Sequence, residues 1–276
     1  MTTTSTHFFC VRVFVAVFAA LSLTSVASAQ STERITLDDL TWTEVAAALK
    51  SGKTTVIVPI GGTEQNGPHM ALGKHNARVR ILAEKIAREL GNALVAPVVA
   101  YVPEGTIDPP SSHMRFAGTI SVPERTFEAT LESIARSLKR HGFRDVVFIG
   151  DHGGYQKSEQ IVAARLNREW ASTPTRAHAI VEYYDVTQKR YADLLRERGI
   201  SDREIGSHAG LADTSLTLAI DPTLVRRDEL RLAAAGAPND GVRGDPARSS
   251  AELGAIGVDV IVAATVQAIR AAVAHR

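Results

Sequence analysis

Residues 54–62 read TTVIVPIGG and residues 145–154 read DVVFIGDHGG. Each is a short run of β-branched and aromatic residues that breaks at glycine, the pattern of a strand buried on both faces that ends in a loop. Between them, Val79, Ile81, Leu82, Ile86 and Leu90 recur at helical spacing over 77–90, and Gly91 supplies a stop. Residues 93–100 (ALVAPVVA) predict another strand, which Pro97 makes an edge strand or an irregular one. Ser121-Val122-Pro123-Glu124 matches a capping box with proline near the helix start, and opens an amphipathic segment that runs to His141 before Gly142. Further helices are predicted over 156–170 and 186–198, a strand over 177–182, a last helix over 258–273, and a surface loop in the Ala/Gly/Pro-rich stretch 233–246. Strands separated by helices of this length form a mainly parallel sheet covered on both faces, so the expectation is one α/β domain.

The composition agrees with a globular enzyme-sized fold: 276 residues, 45% hydrophobic and 22% charged. Disorder, collagen and coiled coil are excluded. Lys+Arg total 31 against 30 Asp+Glu, and no stretch combines clustered basic residues with aromatics, so nucleic acid is not an expected partner. The single cysteine, Cys10, permits neither an internal disulfide nor a cysteine-based metal motif. It lies beside an uncharged run, 13–23 (VFVAVFAALSL), preceded by Arg12 and followed by Ala27-Ser28-Ala29. That is the form of a secretory signal peptide cleaved near Ala29, which predicts a periplasmic or secreted mature chain of 30–276. An uncleaved anchor is the alternative, but the run falls short of the roughly 20 residues a spanning helix needs, so stable membrane insertion is not expected. Loss of the leader removes Arg12 and the cysteine, leaving a formally neutral, thiol-free protein suited to an oxidising compartment.

In open α/β sheets ligands bind beyond the carboxyl ends of the strands. Here those segments are rich in polar residues. Gly61 to His75 contains Glu64, Gln65, Asn66 and His69; Glu104 and His113 follow the second strand; Asp151 and His152 follow the third; a later loop holds His208 and Asp213. Five of the nine histidines (69, 75, 113, 152 and 208) lie in these segments. His152, flanked by glycines, reads either as a turn residue bonding backbone or as a metal ligand or proton carrier. Gly153-Gly154 could suggest phosphate at a helix N-terminus, but neither GxGxxG nor GxxxxGK[ST] is present. Glu104 has only its location to recommend it and reads as a solvated surface carboxylate. Asp151 reads either as a group orienting His152 or as simple turn chemistry.

Four segments together resemble the creatininase family: GGTEQNGPH at 61–69, HMRFAGTIS at 113–121, HGFRDVVFIGDHGGYQ at 141–156 and SHAGLADTS at 207–215. The family pattern runs GSxEQHGPHLPLxTD, HxxFPGTIS, HGFxxIxxxNGHGGN and HAGExETS. Leu40-Thr41-Trp42 also resembles the family's opening. The resemblance implies a three-layer α/β/α sandwich, a homo-oligomer that is often a hexamer, and a divalent-metal amidohydrolase acting on a small-molecule substrate.

Carried over position by position, the family's first metal would be held by Glu64, His75 and His152. Its second would need a histidine, a bridging aspartate and a glutamate where this chain has Asn66, His75 and Leu211. A neutral imidazole does not bridge as a carboxylate does, and leucine offers no donor. The expectation is therefore one ion per chain, zinc, with manganese the alternative, in a His₂Glu set that leaves room for water. Asp213 would be an added ligand or would orient His208, and His208 matches a general acid/base position. Gln65, His69, His113 and Tyr155 would contact substrate. The expected activity is hydrolysis of a C–N bond in a small cyclic or linear amide by metal-activated water. The alternatives are a lactonase or other ester hydrolase with the same site, and a catalytically inactive descendant that binds a small ligand. Creatinine itself is disfavoured, because the family's creatinine-opening members carry a glutamate where this chain has Gly154.

Overall fold

The computed structural model describes residues 1–3, 33–235 and 240–274; most of the leader lies outside them. The fold occupies the unit from Arg34 onward. After α1 (Trp42–Lys50), β1 (Thr55–Ile60) leads through α2 (Lys74–Leu90) to β2 (Ala93–Val95). Then come α3 (Glu124–Arg140), β3 (Asp145–Gly150), α4 (Gln156–Glu169) and β4 (Arg176–Ala179). A run of short helices follows: α5 (Glu182–Val186), a π-helical turn (Thr187–Tyr191), α6 (Ala192–Arg196) and α7 (Asp202–Ile205). The last elements are α8 (Leu211–Ile220), α9 (Leu230–Ala234) and α10 (Ala251–Ala274).

The four strands form one wholly parallel sheet in the order β2-β1-β3-β4. Every residue of β1 and β3 is buried, as their unbroken apolar runs require. The chain leaves β1 towards β2 and returns across it to β3, so the right-handed crossovers put α2 on one face and α3 and α4 on the other. α8 and α10 complete the layer around α2. The result is a sheet between two helical layers.

Where the structure departs from sequence expectation, a local cause is visible. β2 stops at Val95, two residues before Pro97, and the chain rejoins the sheet only through an isolated Ile60–Val99 bridge. α2 begins at Lys74, three residues earlier than the apolar spacing shows, because Lys74, His75 and Arg78 extend its buried face as charged residues. α3 begins at Glu124 without a side-chain cap: Ser121 instead accepts from the Glu104 amide (2.9 Å) and donates to the Gly105 carbonyl (2.7 Å). α9 takes up the start of the segment expected as a surface loop. Within α8 and α10, Gly254 lies so close to the Ser215 carbonyl that a Cβ there would stand 1.8 Å from its oxygen. α10 is 24 residues long with a mean hydropathy of 1.7, apolar enough by composition to cross a membrane, yet it lies against α8, α2 and α5.

Candidate metal centre

β1 and β3 run in register from Thr55 with Asp145 to Ile60 with Gly150, so they end side by side. This is where the strand order reverses, and the loops that leave the two strands open a crevice there. Glu64 enters it from the first loop and His152 from the second. The turn after β1 depends on Gly62, whose φ is +155° and whose Cβ, if present, would stand 2.6 Å from Glu104 Oε1. Its amide donates to Asn76 Oδ1 (2.9 Å), tying the loop to α2.

At the centre, one oxygen from Glu64, one from Glu104 and one ring nitrogen each from His113 and His152 all lie within 4.8 Å of one another. His113 Nε2 is 3.1 Å and His152 Nε2 3.7 Å from Glu64 Oε2, and His152 Nδ1 is 3.8 Å from Glu104 Oε2. Glu104 is 2% exposed, not a solvated carboxylate. Among the described residues, Glu64 Oε2 and both oxygens of Glu104 are buried without a hydrogen-bond partner. Three buried carboxylate oxygens facing two imidazoles form a costly arrangement for a protein on its own and a fitting one for a divalent cation. Burial, then the charge of Glu64, pushes Glu104 up to about 9, while burial holds His152 down to about 4. Burial would also raise Glu64; the His75 hydrogen bond and the charges of His75 and Lys74 outweigh it and hold the carboxyl well below its usual range.

His75 takes a different part from the ligand expected of it. Its Nδ1 meets Asp151 Oδ2 at 2.5 Å and its Nε2 meets Glu64 Oε1 at 2.8 Å, so both nitrogens are engaged with carboxylates. Asp151 in turn accepts from Arg78 Nε (2.9 Å), Arg78 Nη2 (2.6 Å) and Tyr183 Oη (2.8 Å). Arg78 Nη1 also donates to Asp213 Oδ1 (2.6 Å), and Lys74 Nζ donates to Asp213 Oδ2 (2.5 Å). Asp213 is thus the counter-ion of two cations, and Asp151 orients His75 rather than His152.

Of the expected substrate contacts, Gln65 and His113 border a cavity of about 750 Å³ with His152 and His208. Gln65 Nε2 donates to His113 Nδ1 (3.1 Å) and to the Gly241 carbonyl (3.2 Å). His69 and Tyr155 lie elsewhere: His69 is fully buried with Nε2 on Thr214 Oγ1 (3.0 Å), and Tyr155 Oη donates to the Gly61 carbonyl (2.6 Å), bracing the end of β1. His208 Nε2 lies 2.9 Å from the Gln65 backbone carbonyl and 3.0 Å from Gln65 Nε2, and its Nδ1 is 3.7 Å from Glu64 Oε1. Burial and then Lys74 lower His208 to about 3.

The model of the family described as creatinine amidohydrolase matches residues 38–269. The chain belongs to the creatininase family. It is 30% identical over 220 residues to the creatinine amidohydrolase of Pseudomonas putida, covering 77% of this chain and 83% of that one. It is 31% identical over 196 residues to the mycofactocin precursor peptide peptidase of Mycolicibacterium smegmatis, covering 68% and 66%. A solved manganese creatininase superposes with a TM-score of 0.69 at 25% identity, over 86% of this chain and 98% of that one. These relatives are hydrolases, and the family's α/β fold is the one described above. Glu104 and Lys74 were missed as site residues in the sequence; two basic residues, Lys74 and Arg78, on the buried face of α2 were a signal for the second, and no local pattern marked the first.

Proposed function

We propose that this creatininase-family member is an exported metal-dependent hydrolase that opens a C–N bond in a small cyclic or linear amide. Its ion would be held by Glu64, Glu104, His113 and His152. The observation that carries this reading is the set of three buried carboxylate oxygens that, among the described residues, accept no hydrogen bond and face two imidazoles at the crevice between β1 and β3. Two carboxylates with two imidazoles suit zinc or manganese, and such an ion supplies Lewis-acid polarisation of a carbonyl and a nucleophilic water near neutral pH.

The rest of the chemistry belongs to the chain. Glu64 presents Oε2 to the cluster while His75 and Lys74 hold Oε1. Gln65 fixes the ring of His113, and its backbone carbonyl fixes that of His208. Burial keeps His208 neutral, and with Nε2 held by Gln65 its Nδ1 is the nitrogen turned towards Glu64, placed for proton transfer at the site. The cavity of about 750 Å³ admits a small ring or a short peptide segment. A homo-oligomer is supported by the exposed side chains of Tyr101, Ile107 and Ile120 on the segment that carries Glu104 and His113.

The test combines metal analysis with a panel of creatinine, lactams, a formamide, a short peptide and a lactone. The wild-type chain is expected to retain a divalent ion and hydrolyse an amide. Glu104→Gln is expected to weaken retention by more than about tenfold and abolish turnover, since even a residue that only supports a ligand costs about 10–100-fold. A Glu104→Gln protein with unchanged ion content and activity refutes this donor set, and turnover of the lactone alone would favour the ester hydrolase.

A further inference from the structure

Lys74 is the first residue of α2 and its side chain has no solvent exposure. Nζ is 2.5 Å from Asp213 Oδ2 and 3.7 Å from Glu64 Oε1, while Arg78 Nη1 holds the other oxygen of Asp213. Glu64 is therefore divided: Oε1 faces Lys74, His75 and His208, and Oε2 faces His113 and His152. A carboxylate with one oxygen in a donor cluster and the other against a buried ammonium links two cationic positions. A second ion beside Glu64 Oε1 would have to share that oxygen and Asp213 with an ammonium already in contact with both, and would meet the repulsion of Lys74 and Arg78 at close range.

We propose that the Lys74 ammonium is a resident cation of the site, joined to the metal position through Glu64, and that it restricts each chain to one divalent ion. Lys74 is thus a positioning residue: it acts through Glu64 and Asp213. The proposal rests on the metal-dependent reading above. It goes beyond that reading by making the number of ions a property of this lysine.

The experiment counts ions. Full-length protein, stripped with chelator and then equilibrated with Zn²⁺ or with Mn²⁺ up to millimolar concentration, is washed and assayed by plasma mass spectrometry. The wild type is expected to hold one ion per chain. Lys74→Ala, which frees the space between Asp213 and Glu64 Oε1, is expected to hold two, a gain that the loss of a merely structural ion pair would not produce. Lys74→Gln is measured alongside in case the alanine variant does not fold, as judged by circular dichroism, and the same count of two is expected of it. Two ions on the wild type overturn the proposal without any variant. A folded Lys74 variant that stays at one ion also overturns it. No ion on the wild type under any of these conditions would instead sink the metal-dependent reading itself, and this inference with it.

Discussion

His69 shows how a histidine within a motif can serve the fold rather than the chemistry. Its ring is buried, Nε2 bonds Thr214, and burial followed by the charge of Lys74 holds it down to about 4, so the native protein keeps it neutral. His152 and His208 are held down in the same direction, to about 4 and about 3. In the unfolded chain these rings take protons near the ordinary value of about 6.5. Between there and about pH 4 the unfolded state binds more protons than the native one, so their contribution to stability is present above pH 6.5 and is lost as pH falls towards 4. Denaturant titrations in the presence of chelator are expected to show this loss, with a shallower decline for His69→Gln. Equal declines would remove His69 as a contributor. At this scale the sequence made Glu64, His113, His152 and His208 legible, because motif and strand-end position agree for each. It did not reveal Glu104: no local pattern distinguishes a buried carboxylate from a solvated one when the contacts that bury it come from Ser121, Gly62 and Glu64.

Among the elements, strands were the easiest to read. β1 and β3 declare themselves as short apolar runs ended by glycine, and their full burial leaves no face to mistake. Helix starts were harder where charge interrupts the apolar stripe. α2 begins with Lys74 and His75, and a hydrophobicity rule has no means of foreseeing that Asp213 and Asp151 arrive from distant segments to neutralise them. The close packing of α8 on α10 was equally hidden, since it depends on the small size of Gly254 and Gly257. Gly254→Ala should improve intrinsic helix propensity and still destabilise the protein, because the added methyl has to displace backbone at Ser215. The expected loss is about 1–3 kcal/mol, the usual range for overpacking, measured by urea denaturation. A neutral or stabilising result would mean that α10 can slide on α8 without cost.

Over the whole molecule, the parallel order β2-β1-β3-β4 places the two polar loops at one end of the sheet, so the location of the site follows from topology alone. That much was accessible from alternating strands and helices. The donor set was not, because it depends on how a long connection, from Val95 to Glu124, folds back over the crevice with Glu104 and His113. A ligand bound only by the native state raises global stability, so saturating zinc or manganese is expected to raise the melting temperature. At about 100 times its dissociation constant an ion adds about 2.7 kcal/mol. Calorimetric scans with and without chelator measure this, and superimposable scans would count against an ion held by the folded core.

One turn of α2 carries Lys74, His75 and Arg78, and the turns that follow carry Val79, Leu82, Ala83 and Ile86 into the hydrophobic core. The same rigid rod therefore sets both the electrostatic balance of the crevice and the packing against β1 and β2. The two are mechanically coupled: a core substitution that rotates or shifts this helix moves two cations and an imidazole together. A loop side chain, by contrast, can be exchanged and change what enters the cavity while the charges on this helix stay in place.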